Sequence, residues 1–86
     1  MANKKAMFKL IGFYINENQK TYIDMTLASC DSISQKESQS AIDNLLCEKY
    51  GYSTFPVIAL FKNNVLTRNV IGKYPINTIK SKLLIT

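Results

Sequence analysis

The chemistry open to this 86-residue chain is narrow. It has two cysteines, Cys30 and Cys47, and no histidine, so a Ser-His or Cys-His pair of nucleophile and base is excluded. Two thiols without histidine do not make a zinc site either. The one catalytic option left is a single reactive thiol. Cys30 follows a predicted strand and precedes a predicted helix, and a helix N-terminus favours the thiolate. The adjacent Asp31 opposes it. Cys47 lies between Leu46 and Glu48 within the predicted helix and reads as a packing residue. About 13 helical residues at about 1.5 Å each would hold the two sulfurs about 20 Å apart, whereas a disulfide needs Cα atoms within about 7 Å. Gly12, Gly51 and Gly72 are too scattered for a phosphate loop, and nothing in the spacing of Asp24 and Asp31 marks a carboxylate pair. No catalytic residue is assigned unless Cys30 is redox-active, and no cofactor or metal is expected.

The charge carries more information than its total of +5. Every acidic residue (Glu17, Asp24, Asp31, Glu37, Asp43, Glu48) lies in the first part of the chain, and from Lys49 onward only basic residues occur. Lys62, Arg68, Lys73, Lys80 and Lys82 form a candidate basic patch for nucleic acid or an acidic protein. The alternative is a solvated lysine-rich surface. With 47% hydrophobic residues, the composition is that of one small globular domain with little core to spare. No run approaches the roughly 18 apolar residues of a membrane span, and the N-terminus lacks the cleavage site of a signal peptide. A cytoplasmic location is expected, with residues 1–6 a flexible tail.

These residues must be held by a small set of elements. Met7–Ile15 is apolar on both faces and reads as a central strand. Asn16-Glu17-Asn18-Gln19 reads as a turn, and Lys20–Ser29 alternates (Ile23, Met25 and Leu27 against Lys20, Tyr22, Asp24 and Thr26) as the second strand of a hairpin. Ser34-Gln35-Lys36-Glu37 fits a capping box, and Ala41, Ile42, Leu45 and Leu46 follow at helical spacing, predicting a helix over 35–50 that ends at Gly51. Pro56, unable to donate a ladder hydrogen bond, marks the entry to a second central strand, Val57–Phe61. Asn63-Asn64 fits a hairpin turn, Val65–Ile71 a returning strand, and Ile76, Ile79, Leu83 and Leu84 a closing helix. The order is ββαββα, an α+β fold with a small mixed or antiparallel four-stranded sheet and two helices. Two central strands ask for cover on both faces, and if both helices lie on one face the other is left bare, which would suit a dimer or a partner.

Residues 48–84, EKYGYSTFPVIALFKNNVLTRNVIGKYPINTIKSKLL, resemble the C-terminal half of thioredoxin-family proteins: a KYG helix end, a short loop to a proline, a strand ending LFKN, a hairpin partner, a glycine and a final helix. The resemblance implies that Pro56 is the family's cis-proline and that its loop borders a groove in which client peptides dock as extended chains. The departures carry equal weight. Thioredoxins have a Trp-Cys-x-x-Cys motif between the first strand and the first long helix, and this chain has no tryptophan and no C-x-x-C. Dithiol redox activity is therefore not expected.

Three readings remain. The first is a non-catalytic protein that binds another macromolecule, most simply a protein partner, through Lys49, Tyr50, Tyr52, Phe55 and Pro56 or through an exposed sheet edge. The size of such a protein, and its lack of chemistry, suit an accessory protein or inhibitor of a mobile genetic element. The second is a monothiol redox protein using Cys30. The third is a nucleic-acid-binding module using the basic half, with tyrosines beside lysines to stack bases.

Overall fold

The computed structural model describes residues 6–85; most of the N-terminal segment read as a tail lies outside the described residues. Seven elements follow one another: β1 (Phe8–Tyr14), α1 (Glu17–Ala28), β2 (Gln35–Ser40), α2 (Leu45–Tyr50), β3 (Val57–Lys62), β4 (Val65–Ile71) and α3 (Ile76–Leu83). The four strands form one mixed sheet in the order β2-β1-β3-β4. β1 pairs parallel with β2 and antiparallel with β3, and β3 pairs antiparallel with β4. The α+β class and the four-stranded sheet agree with the sequence reading, as do the elements from Gly51 to Leu83; Leu84, read as part of the closing helix, is instead its exposed left-handed cap. The first half departs from it twice.

Lys20–Ser29 is not a strand. Its apolar alternation hides a helical stripe, because Ile23, Thr26 and Leu27 are the buried residues of α1 while Met25 is 62% exposed. Thr26 is buried at little cost, since its hydroxyl donates to the Tyr22 carbonyl at 2.9 Å. Asn16 is the N-cap: its side chain accepts the Gln19 amide N–H at 2.9 Å. What reads as a turn is a helix cap.

Gln35–Ser40 is in turn not helical. It pairs over six positions with β1, from Lys9 opposite Gln35 to Tyr14 opposite Ser40. A parallel pair needs a crossover connection, and α1 supplies it. Backbone pairing to β1 thus outweighs the local capping pattern at Ser34. The helix expected over 35–50 shrinks to Leu45–Tyr50, capped by the Asn44 side chain, which accepts from Leu46 and Cys47 N–H. Gly51 ends it with φ 69°, as its position predicts. The order is βαβαββα, with three helices instead of two among the described residues.

The helices cover both faces of the sheet. One face carries Leu10, Ile58, Leu60 and Val70 under α1 and α3, with Ile23, Leu27, Cys30, Ile79 and Leu83. The other carries Ile11, Phe13, Val57, Ala59 and Phe61 under α2, with Cys47, Leu46 and Tyr50. β1 and β3 are central strands, as read from sequence, and neither face is left bare, because α2 and α3, which stand for the two expected helices, pack on opposite sides of the sheet. Gly12 sits where α1 crosses β1: a Cβ there would lie inside van der Waals contact with the Ile23 side chain.

Candidate binding site

The carboxyl ends of β1 and β2 and the entrance to β3 meet at one end of the sheet. Phe13 pairs with Val57 and Tyr14 with Ser40, which brings the β1–α1 junction, the Ala41–Asn44 loop and the Phe55-Pro56 turn together. The Phe55-Pro56 peptide is cis, and Pro56 is buried. Its carbonyl accepts the Gly72 N–H at 2.8 Å, so the turn is fixed to the end of β4.

Gln19 organises this end. Its Oε1 accepts the Ile15 N–H at 2.9 Å, and its Nε2 donates to the Phe55 carbonyl at 3.3 Å. With the Asn16 cap, one carboxamide holds the start of α1 against the proline turn. Beside it opens a hollow of about 210 Å³ lined by Ile15, Ala41, Ile42, Tyr52 and Phe55, with Asp43, Asn44, Cys47 and Glu48 completing it. Ile15 is 50% and Ile42 68% exposed. Apolar residues of that size left open beside two carboxylates suit a ligand with an apolar side chain and a basic flank.

The predicted site residues divide. Tyr52 and Phe55 line the hollow and Pro56 adjoins it. Tyr50 instead packs on Phe61, with ring centroids 5.9 Å apart, and Lys49 stands 5.4 Å over the Tyr50 ring; neither lines the hollow. Tyr52 is also structural, since it packs 5.9 Å from Phe13 and its hydroxyl accepts from Asn69 Nδ2 at 2.8 Å. Sequence reasoning misses Ile15, Asn16, Gln19, Ala41 and Ile42. A signal for the first three is present, because Asn16-x-x-Gln19 is a helix-start pattern.

Cys30 stands in the reverse context from that expected: it follows helix α1 and precedes strand β2. It is fully buried, and its thiol donates to the Thr26 carbonyl at 3.4 Å. The negative end of the α1 dipole, not the positive one, faces it. The twelve residues of α1, about 18 Å of helix at 1.5 Å each, separate it from the proline turn. Cys47 is buried on the opposite face of the sheet, and burial pushes its thiol pKa up. Both thiols are free. Among the described residues no group of acidic, cysteine or histidine side chains could hold a metal ion, and no helix is long and apolar enough to cross a membrane.

No family model and no curated protein matches the sequence. Solved structures do. A single-site mutant of thioredoxin from Halobacterium salinarum NRC-1 matches with a TM-score of 0.64 at 17% identity, covering 87% of this chain and 74% of that one. The fold is thioredoxin-like. A cysteine-to-serine mutant of an Entamoeba histolytica thioredoxin gives 0.61 at 15%, covering 91% and 80%. A malaria-parasite thioredoxin-2, described as a component of protein secretion machinery, gives 0.63 at 16%, covering 98% and 85%. The resemblance read from the second half thus extends across most of the chain. In this thioredoxin-like fold the junction between first strand and first helix reads Ile15-Asn16-Glu17-Asn18-Gln19. Asn16 and Gln19 have the spacing of the motif's two cysteines, with carboxamides in place of thiols.

Proposed function

We propose that this protein is a non-catalytic binding domain whose hollow beside Pro56 takes an extended segment of a protein partner. One observation carries the reading: the end of the sheet where thioredoxins hold their redox motif presents a carboxamide bridge and open aliphatic side chains instead of thiols. Gln19 spends its carboxamide on Ile15 and Phe55, which builds a shape and supplies no nucleophile. Ile15, Ile42 and Phe55 then offer an apolar seat. Asp43 and Glu48 favour Lys or Arg next to the seated side chain, because charge complementarity fixes register and rejects acidic competitors. The role of an accessory or inhibitory protein fits such a module.

The test uses amide NMR of the whole chain with a panel of nine-residue peptides, each bearing one central Phe, Leu or Trp flanked by Lys or by Glu. Binding of Lys-flanked peptides, with shifts at Ile15, Ile42 and Phe55, is expected, and Ile42→Ser should weaken it about tenfold while Cys30→Ser leaves it unchanged. Shifts confined to another surface would sink the proposal. Peptide disulfide exchange lost in Cys30→Ser would replace it with a monothiol redox role.

A further inference from the structure

The charge asymmetry of the sequence becomes a division of space. β4 forms one edge of the sheet and β2 the other, so the acidic residues lie on or between β2, α1 and α2 while the charged residues of β4 and α3 are all cations. On the acidic side two carboxylates are paired: Glu37 with Lys9 at 2.6 Å and Asp24 with Lys20 at 2.9 Å. Among the described residues no carboxylate pairs with Lys62, Arg68, Lys73, Lys80 or Lys82.

These cations share a face. Arg68 lies directly opposite Leu60, whose side chain packs under α1 and α3, and Lys62 follows Leu60 by two residues; both therefore point to the side of the sheet that α3 covers. Lys80 and Lys82 are on α3 itself. Lys82 Nζ stands 5.0 Å over the Tyr74 ring and Lys73 Nζ 5.5 Å over the Tyr22 ring. The two tyrosines are joined, since the Tyr22 hydroxyl donates to the Tyr74 carbonyl at 2.7 Å and accepts the Tyr74 N–H at 2.9 Å. Tyr74 remains 39% exposed.

From this arrangement we infer that the β4–α3 face binds single-stranded nucleic acid. An aromatic ring with an ammonium over it matches one nucleotide, the base taking the ammonium's place on the ring face and the phosphate receiving the displaced cation. Two such pairs stand side by side, with Arg68, Lys80 and Lys62 as further phosphate contacts. An acidic peptide would use the cations and leave the rings idle. A duplex would keep its bases from the rings. The surface is separate from the Pro56 hollow, and neither proposal depends on the other.

The test is fluorescence anisotropy with a labelled fifteen-nucleotide oligo-dT between 50 and 200 mM salt. Saturable binding with a log–log salt slope of about −2 to −3.5 is expected for three to five phosphates on a single strand. The triple variant Arg68→Gln, Lys80→Gln, Lys82→Gln should bring the slope about 2 closer to zero. Tyr74→Leu should lower affinity about tenfold with the slope unchanged. Three results would each overturn the inference: no binding at 50 mM salt, equal competition by polyglutamate of matched charge, or equal affinity for a duplex of the same length.

Discussion

At the scale of single residues the tightest constraint is Gly12. The missing side chain is what lets Ile23 of α1, itself fully buried, lie against β1. Gly12→Ala should overpack the crossing and cost about 1–3 kcal/mol, read as a lower urea midpoint with an unchanged slope; a neutral result would show that α1 can shift freely. The buried thiol of Cys47 sets a second expectation. Burial raises its pKa in the folded state above the ordinary 9.0, so above that pH the unfolded chain releases the proton more readily than the folded one. Stability should then fall as pH rises through this range. Tyr52, likewise pushed up by burial, adds to the fall at higher pH. Cys47→Ala should flatten the first part of the decline in urea titrations at pH 8 to 10, and a decline of the same depth in that variant would assign it elsewhere.

At the scale of elements, the second half is legible in the sequence and the first is not, for physical reasons. Gly51, Asn63 and Asn64 adopt the positive φ angles their types favour, and Pro56 starts a strand; each signal is local and unopposed. Lys20–Ser29 carries two periodicities at once, and only tertiary burial of Ile23, Thr26 and Leu27 chooses the helical one. Gln35–Ser40 is polar throughout, so nothing in its composition announces a strand, and its partner β1 lies more than twenty residues upstream. The candidate site is half legible: Phe55 and Pro56 stand out, whereas Ile15 and Ile42 become neighbours only through β1–β2 pairing. The α1 start is the element most open to test. Asn16→Ala should cost about 1 kcal/mol as a lost cap. Gln19→Leu should cost a similar amount and also weaken peptide capture, because it frees the Phe55 turn; unchanged peptide affinity in a folded Gln19→Leu variant would show that the turn holds its shape unaided.

At the scale of the molecule, β1 and β3 send alternate side chains into both apolar layers, so neither layer has a sheet without the other. Cys30 reports on one layer and Cys47 on the other. Their thiols should become reactive at a single urea midpoint, as a two-state domain requires. Earlier labelling of Cys47 alone would mean that the short α2 opens as a unit of its own. The same two-layer architecture keeps the hollow and the basic face on different parts of the surface, which lets peptide and oligonucleotide be assayed separately on one sample.

The Gln19 bridge has a consequence for regulation. A site built from thiols can be turned off by an oxidant, and one built from ionised groups by acid. A carboxamide responds to neither. The bridge that frames the hollow is accordingly indifferent to both, so control over the proposed peptide site would have to act through the side chains that line it or through the supply of partner.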